Sequence, residues 1–435
     1  MSVQALRIMQ FNIEYGGDGV DFSSVTKAIN AAEADVVAIQ EGCGKMAQIA
    51  ADLGWAYYDA RSQVVSRYPL LNPTSAMGGA IFVEVSPRSV VAIINVHPPS
   101  RGYGPTRLVN GASVAQVLRR ERKLRVSALE PSVAAARLLM AQQIPVILLG
   151  DFNAPSHRDW TKEAVGLREH VTKSVEWPTS VVVEAAGLVD VYREIFPDPV
   201  THQGLTWPAL RPFVKGYNPA RAGKAADRID LMYAGGAAHA TCISLVGEVG
   251  SEFTDIPVEP WPTDHRAIVA TFEVEPGRTP TLVSTARRLV EVGQEVQIRY
   301  NATDDNAAEI ALVPSGGGIL EATLRSPLAS GDSGSWSLDT RDPVAAAHDI
   351  LLLSDSGDEL ARTCVWLVLP GTSPVVATGS FVYLVGENID VRWEFAPGNR
   401  ADYVAIYERG ADPRVARRLL WAYTDATVVG SAVFH

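Results

Sequence analysis

The sequence predicts an α/β domain followed by two all-β sandwich modules, and three observations carry that reading. Over the first 275 or so residues, apolar strand-like runs alternate with helical stretches such as Phe22 to Ala34 and Ser132 to Gln142. Six of those runs are each bounded by a short polar motif. Beyond Glu275-Pro276-Gly277-Arg278-Thr279-Pro280, which reads as a linker, helical periodicity disappears. Gly, Ser and Asp turns then separate strand-like segments, and the pattern repeats with a period of about 90 residues.

In chain order the motifs are Asn12 in LRIMQFNIEYGG, Glu41 in ADVVAIQEG, His97 in VVAIINVHPPS, Asp151 and Asn153 in PVILLGDFNAPS, Asp230 in DRIDLMY, and Asp264 with His265 in PTDHRAIVATF. The runs beside them, such as Val36-Val37-Ala38-Ile39 and Val146-Ile147-Leu148-Leu149, suit strands buried on both faces. Ending such strands repeatedly in Asn, Glu, His or Asp gathers those side chains at one rim of a sheet core. Carboxylates gathered there repel one another and titrate upward unless a cation or a protonated partner compensates them, and a hard divalent cation is the economical choice. Carboxylate and amide oxygens suit Mg²⁺ or Mn²⁺, and the His and Cys clusters of a structural zinc site are absent. The Asp264-His265 pair adds a carboxylate and a proton-carrying imidazole, a combination suited to attack of water on phosphorus.

This ordered set resembles the endonuclease/exonuclease/phosphatase superfamily of deoxyribonuclease I-like phosphoesterases, over roughly Leu6 to Val274; GDFN and the terminal Asp-His are its most specific parts. The resemblance implies two packed β-sheets with helices outside, a four-layer α/β/β/α sandwich. It implies that Glu41, with Asn12 and Asp264, holds the principal metal, while Asp151 and Asn153 position the attacking water and a phosphate oxygen. His265 would contact the scissile phosphate, Asp230 would orient its ring, and His97 would act near the leaving oxygen. A histidine at position 97 sides with the deoxyribonuclease I, sphingomyelinase and 5-phosphatase branch. DRIDLMY holds a second acid, Asp227; three residues apart on a strand, the two point to opposite faces, and the family pattern favours Asp230.

Weaker candidates for substrate contact are Arg67 in VVSRYPLL, His157 in APSHRDW and His202 in THQGLTW, each also explicable as packing. Between Arg101 and Arg125 stand seven basic residues, Arg119, Arg120 and Arg122 among them, against one acid, Glu121. Following the His97 motif directly, this segment reads either as a polyanion-attracting rim or as a solvated helix face. Globally the charge argues against a general duplex-DNA binder: residues 1–280 carry 26 basic and 29 acidic side chains. Residues 281–435 carry 12 Arg, no Lys and 20 acids, a net of −8.

The expected boundaries are a catalytic domain over 1–276 and β-modules over 281–370 and 374–435. The repeat is direct: Leu289 to Tyr300 recurs as Phe381 to Trp393, and Ala308 to Val313 as Asp402 to Tyr407. The second module is similar to the Trp/Tyr-rich SKICH-type sandwiches that accompany some inositol 5-phosphatases, though Trp393, Tyr403, Tyr407 and Trp421 read as core and edge packing. Its Gly430-Ser431 matches Gly334-Ser335 of the first, after which the first continues for about 30 residues of strand-like sequence. The second module is therefore expected to lack about two strands, supplied by chain beyond His435 or by another chain.

At 47% hydrophobic residues the composition is that of a folded protein, and 435 residues suggest two or three domains. The first strand begins within about five residues of Met1, leaving no apolar signal segment, and no run is long enough to span a bilayer; a cytoplasmic protein is expected. Cys43, Cys242 and Cys364 lack metal-ligand spacing and read as mostly buried thiols of a reducing compartment. The function expected is metal-dependent hydrolysis of a phosphodiester, in a nucleic acid or a smaller molecule. Alternatives are a phosphomonoesterase acting on a small phosphorylated molecule or lipid headgroup, and a scaffold that has lost catalysis. The β-modules would recruit a partner, a glycan or a membrane surface.

Overall fold

The computed structural model describes residues 2–73, 79–212, 225–303, 307–328, 333–341, 343–399, 402–413 and 418–435. The chain forms two compact units. The first holds Met1–Tyr58, Gln63–Leu70 and Met77–Arg278; the second holds Thr279–His435 with Asp59–Ser62 and Leu71–Ala76.

In chain order, and apart from the last residues of β3 and β5, the first unit contains β1 (Gln4–Asn12), α1 (Ser23–Ala31), β2 (Val36–Gln40), α2 (Met46–Leu53), β3 (Tyr57–Asp59), β4 (Val64–Ser66), β5 (Leu70–Leu71), β6 (Ala80–Ser86) and β7 (Ser89–Val96). It continues through α3 (Gly104–Val109), α4 (Val114–Glu121), α5 (Ser127–Ala141), β8 (Val146–Asp151), α6 (Pro178–Glu184), β9 (Val189–Asp190) and α7 (Val191–Ile195). It ends in β10 (Asp230–Gly235), β11 (Ala238–Glu248), β12 (Ile256–Val258), β13 (Ala267–Val274) and β14 (Gly277–Arg278). One sheet runs β12-β11-β13-β1-β2-β4-β3; the other runs β5-β6-β7-β8-β10-β9, with β14 also on β7. Their facing sides share one core, in which Ile8, Ala38 and Ile268 meet Ile93, Leu149 and Met232. Helices α1 and α2 cover the first sheet and α5 the second, giving the expected four layers.

Strand direction places the motifs together. β1 and β2 run parallel, ending at Asn12 and Gln40, and β13 returns antiparallel so that Ile268 pairs with Gln10. In the other sheet β7 and β8 run parallel, and antiparallel β10 sets Asp230 directly opposite Asp151. All six motifs therefore fall at one rim. Gly150 permits this register, because a Cβ there would stand 1.9 Å from the Val96 carbonyl oxygen.

Two observations depart from the sequence reading. Cys43 and Cys242 are exposed and Cys364 is only partly covered, so the thiols are not mostly buried. Cys242 follows a register break between Ala240 and Cys242 in β11 that interrupts strict inward alternation. The supposed linker is also ordered, with Gly277 and Arg278 pairing with Val90 and Ser89 of β7.

In the second unit come β15 (Leu282–Thr285), β16 (Leu289–Glu291), β17 (Glu295–Asn301), β18 (Ala307–Pro314), β19 (Leu324–Pro327), β20 (Ser333–Asp339), β21 (Ala347–Ser354) and β22 (Glu359–Val368). They form sheets β15-β17-β20 and β16-β22-β21-β18-β19 around Ile298, Leu312, Ile350 and Val365. Next are β23 (Val375–Thr378), β24 (Ile389–Glu394), β25 (Tyr403–Ile406), β26 (Leu420–Tyr423) and β27 (Gly430–Phe434). Sheet β23-β24-β27 repeats the order β15-β17-β20, and even the pairing recurs: Tyr300 opposite Gly334, Trp393 opposite Gly430. Among the described residues β25 pairs only with β26, and no counterpart of β21 or β22 follows. Phe381, Val382, Leu384 and Val385, where β16 would recur, are fully or largely exposed. Trp393 is core, whereas Tyr403 is exposed with Trp421 edge-on to it.

Candidate active site

His265 stands at the centre. Its Nδ1 lies 2.9 Å from Asp230 Oδ2, and its Nε2 lies 3.8 Å from Asp151 Oδ2 and 3.7 Å from Asp264 Oδ1. Burial alone would depress this imidazole, but Asp230, Asp264 and Asp151 outweigh it and lift the pKa well above 6.5. Asp230 is pushed up by burial, which prevails over the opposing pull of His265. Asp151 is held below 3.8, because His265 and His97 overcome its desolvation. His97 Nε2 reaches Asp151 Oδ2 at 3.4 Å, and that carboxylate lifts its pKa against the burial that would lower it.

Asn153 donates its backbone N–H to Asp151 Oδ1 at 2.8 Å and its Nδ2 to the Pro98 carbonyl at 3.1 Å. Asn12 donates Nδ2 to Asp151 Oδ2 at 3.1 Å, while its Oδ1 accepts the Glu14 N–H at 3.0 Å. Glu41 Oε2 accepts the Tyr15 N–H at 3.0 Å. Glu14, Glu41 and Asn153 all hold positive φ (47°, 57° and 50°), a cost of roughly 1–3 kcal/mol each that tends to collect at functional sites.

Several residues of this site escaped the sequence reading. Burial pushes the Glu14 carboxyl up, and neighbouring Asp264 and Glu41 push it further, against a bidentate pair with Arg211 at 2.6 and 2.7 Å. Trp207 donates Nε1 to Asp264 Oδ2 at 3.1 Å, and its ring lies 6.4 Å from His265 and edge-on to Tyr103. Beneath them, Gln10 Nε2 donates to Asp230 Oδ1 at 2.7 Å and to Gln40 Oε1 at 2.6 Å, and Gln40 donates to Asn95 Oδ1. A signal existed: Gln10 and Asn95 each precede a motif residue, Asn12 and His97, by two positions, which on a strand is the same face.

The second acid of DRIDLMY does something else. Asp227, fully buried, accepts from Tyr103 Oη (2.8 Å) and Trp160 Nε1 (3.0 Å), and meets His170 Nε2 (3.0 Å) and Arg168 Nη2 (3.4 Å). It ties together the loops around the rim. Asp230 alone of the two meets His265.

The weaker candidates separate. Arg67 is not brought to the site: β4 runs antiparallel to β2, so Arg67 falls beside Asp35 at the opposite end, 3.8 Å from its Oδ1 and stacked on Trp55. His157 is held by Ser180 at 2.9 Å, and His202 stacks on Phe196. Of the basic segment, Arg119 and Arg122 are exposed, Arg125 is buried against Glu121 at 2.6 Å, and Arg120 is half-buried.

As a donor set for a cation, Glu14, Glu41, Asp264 and the Asn12 amide supply hard oxygens. Arg211 faces this group through its bidentate pair with Glu14, and the Glu14 pKa is raised by burial first and then by the charges of Asp264 and Glu41. Asp151, Asp230 and His265 also offer ligand atoms within 4.8 Å of one another. A protonated His265, however, donates at both nitrogens and ligates nothing.

The profile of the Endonuclease/Exonuclease/phosphatase family matches residues 9–265. An uncharacterized protein of Caenorhabditis elegans is 26% identical over 292 residues, 61% of this chain and 91% of that protein. An endonuclease/exonuclease/phosphatase from Beutenbergia cavernae is similar at 16% identity and a TM-score of 0.37, covering 84% of this chain and all of that one. An AP endonuclease from Archaeoglobus fulgidus is similar at 16% identity and a TM-score of 0.35, covering 61% of this chain and 98% of its own.

Proposed function

Because the chain belongs to the Endonuclease/Exonuclease/phosphatase family, we propose that it hydrolyses a phosphodiester bond with the help of a divalent cation, Mg²⁺ or Mn²⁺. The observation that carries this reading is the His265 imidazole held between Asp230 and Asp151, beside the acid group of Glu14, Glu41 and Asp264. Glu41, Asp264 and Asn12, with Glu14 added, would hold the ion, which supplies positive charge next to the phosphate oxygens.

The protein groups then divide the work. His265, protonated and aligned by Asp230, donates its Nε2–H to a non-bridging phosphate oxygen as charge accumulates there. Asp151, ionised, accepts a hydrogen bond from the attacking water, orients it in line with the leaving oxygen, and takes its proton as the new P–O bond forms. Asn153 fixes the Asp151 carboxylate, and His97, the more exposed imidazole, delivers a proton to the departing oxygen.

The test is hydrolysis of bis-p-nitrophenyl phosphate, p-nitrophenyl phosphate and plasmid DNA by the purified chain with Mg²⁺. His265→Ala should lower kcat on the diester by at least a hundredfold. Full activity in that variant overturns the mechanism, and preference for the monoester overturns the diester assignment.

A further inference from the structure

Among the described residues, Arg101, Arg107 and Arg120, close to the rim, make no ion pair, although the buried Glu121 acts on Arg120 through its charge. Arg120 lies flat on Gly102: a Cβ built on that glycine, which holds φ +74°, would stand 2.6 Å from Arg120 Nε, 2.9 Å from Nη2 and 3.1 Å from Cζ. Arg120 Nε is shielded from solvent yet has no acceptor among the described residues. Burial depresses the Arg120 pKa, and the positive charges of Arg107, Arg101 and Arg125 depress it further. The acid in their midst, Glu121, is buried and already bonded to Arg125 at 2.6 Å. Arg101 and Arg107 are exposed.

Gathering like charges without a partner is unfavourable unless an anion arrives to use them. The location says which anion. Gly102 adjoins Tyr103, whose ring packs 5.6 Å from Trp207, which in turn lies 6.4 Å from His265. We propose that Arg101, Arg107 and Arg120 form a second anion subsite, which takes a phosphate group of the substrate other than the one attacked. As a substrate site it rests on the phosphodiesterase reading; the binding of phosphate to these arginines does not. Two sources share this chemistry: the next phosphate of a polynucleotide, and the second phosphate of a bisphosphorylated small molecule.

The test measures binding apart from hydrolysis. Inorganic tripolyphosphate is titrated calorimetrically into the full chain in chelator at low ionic strength. In Arg107→Gln/Arg120→Gln the affinity should fall at least tenfold, while Arg119→Gln/Arg122→Gln should change it less than twofold. If removing Arg120 prevents folding, Arg101→Gln/Arg107→Gln carries the test, with a loss of at least fivefold expected. Retention within twofold in these cluster variants, or an equal loss in Arg119→Gln/Arg122→Gln, overturns the subsite. Competition then distinguishes the sources: displacement by 5′-phosphorylated trithymidylate points to a polynucleotide, by fructose 1,6-bisphosphate to a small bisphosphate. Displacement by neither overturns the proposal. A chain that fails to hydrolyse any diester yet shows these affinities loses the catalytic reading and keeps the subsite.

Discussion

Replacing Asp227 by Asn should cost stability, whereas replacing Asp230 by Asn should cost turnover. The Asp227 carboxylate is inaccessible to solvent, and both of its oxygens face donors: Trp160 and Arg168 at Oδ1, Tyr103 and His170 at Oδ2. An amide keeps one acceptor oxygen and turns an N–H toward the other pair of donors. One buried and one part-buried donor then lose their acceptor at about 1–3 kcal/mol each, and the neighbouring Arg168 loses its counter-ion. A total of about 3–5 kcal/mol follows, which for a unit of this size lowers Tm by roughly 6–20 °C. The assay is urea and thermal unfolding followed by tryptophan fluorescence, with kcat measured per folded molecule well below the transition. Asp230→Asn, by contrast, removes the charge that aligns and protonates His265, and should lower kcat at least tenfold more than Asp227→Asn does. If Asp227→Asn melts with the wild type while its kcat falls a hundredfold, the division of labour between the two acids is refuted.

Activity should vanish in chelator and return with Mg²⁺ or Mn²⁺, and Glu41→Gln should raise the metal concentration for half-maximal rate; full activity in chelator contradicts the donor set. Asp190, fully buried, is desolvated, but Arg228 and then Arg193 outweigh this and hold its pKa below 3.8. Its contribution is thus present at neutral pH and lost as pH falls below about 4, so Asp190→Asn should destabilise at pH 7 and flatten the acid limb of the stability profile measured by urea unfolding. Gly150→Ala places a methyl group 1.9 Å from the Val96 carbonyl and should cost more than about 3 kcal/mol, or prevent folding, as read by circular dichroism.

The four-layer fold and the gathering of six motifs at one rim were legible because both depend on local, periodic information. A strand announces itself by apolar runs, and a polar residue ending it must sit at the sheet edge. The internal repeat was legible for the same reason, down to the aromatic residue that packs against glycine at Tyr300 and Gly334 and again at Trp393 and Gly430. Residue identity also shaped the expected chemistry, since carboxylate and amide oxygens without clustered cysteines suit a hard cation.

What only the tertiary structure decided is which side chains touch. Glu14 and Arg211 are 197 positions apart, and Gln10 and Asp230 are 220 apart, so no local pattern pairs them. The same holds for Arg67, whose surrounding sequence gave no warning that antiparallel β4 carries it to the far end of the sheet. Asp227 and Asp230 differ for a further reason: each takes its state from the groups folded around it, Tyr103, Trp160, His170 and Arg168 in one case and His265, Gln10 and Thr206 in the other. Sequence supplies the functional groups and their strand ends; burial and long-range contacts determine whether each one is a strut, a proton carrier or a ligand, because pKa and orientation are properties of the environment.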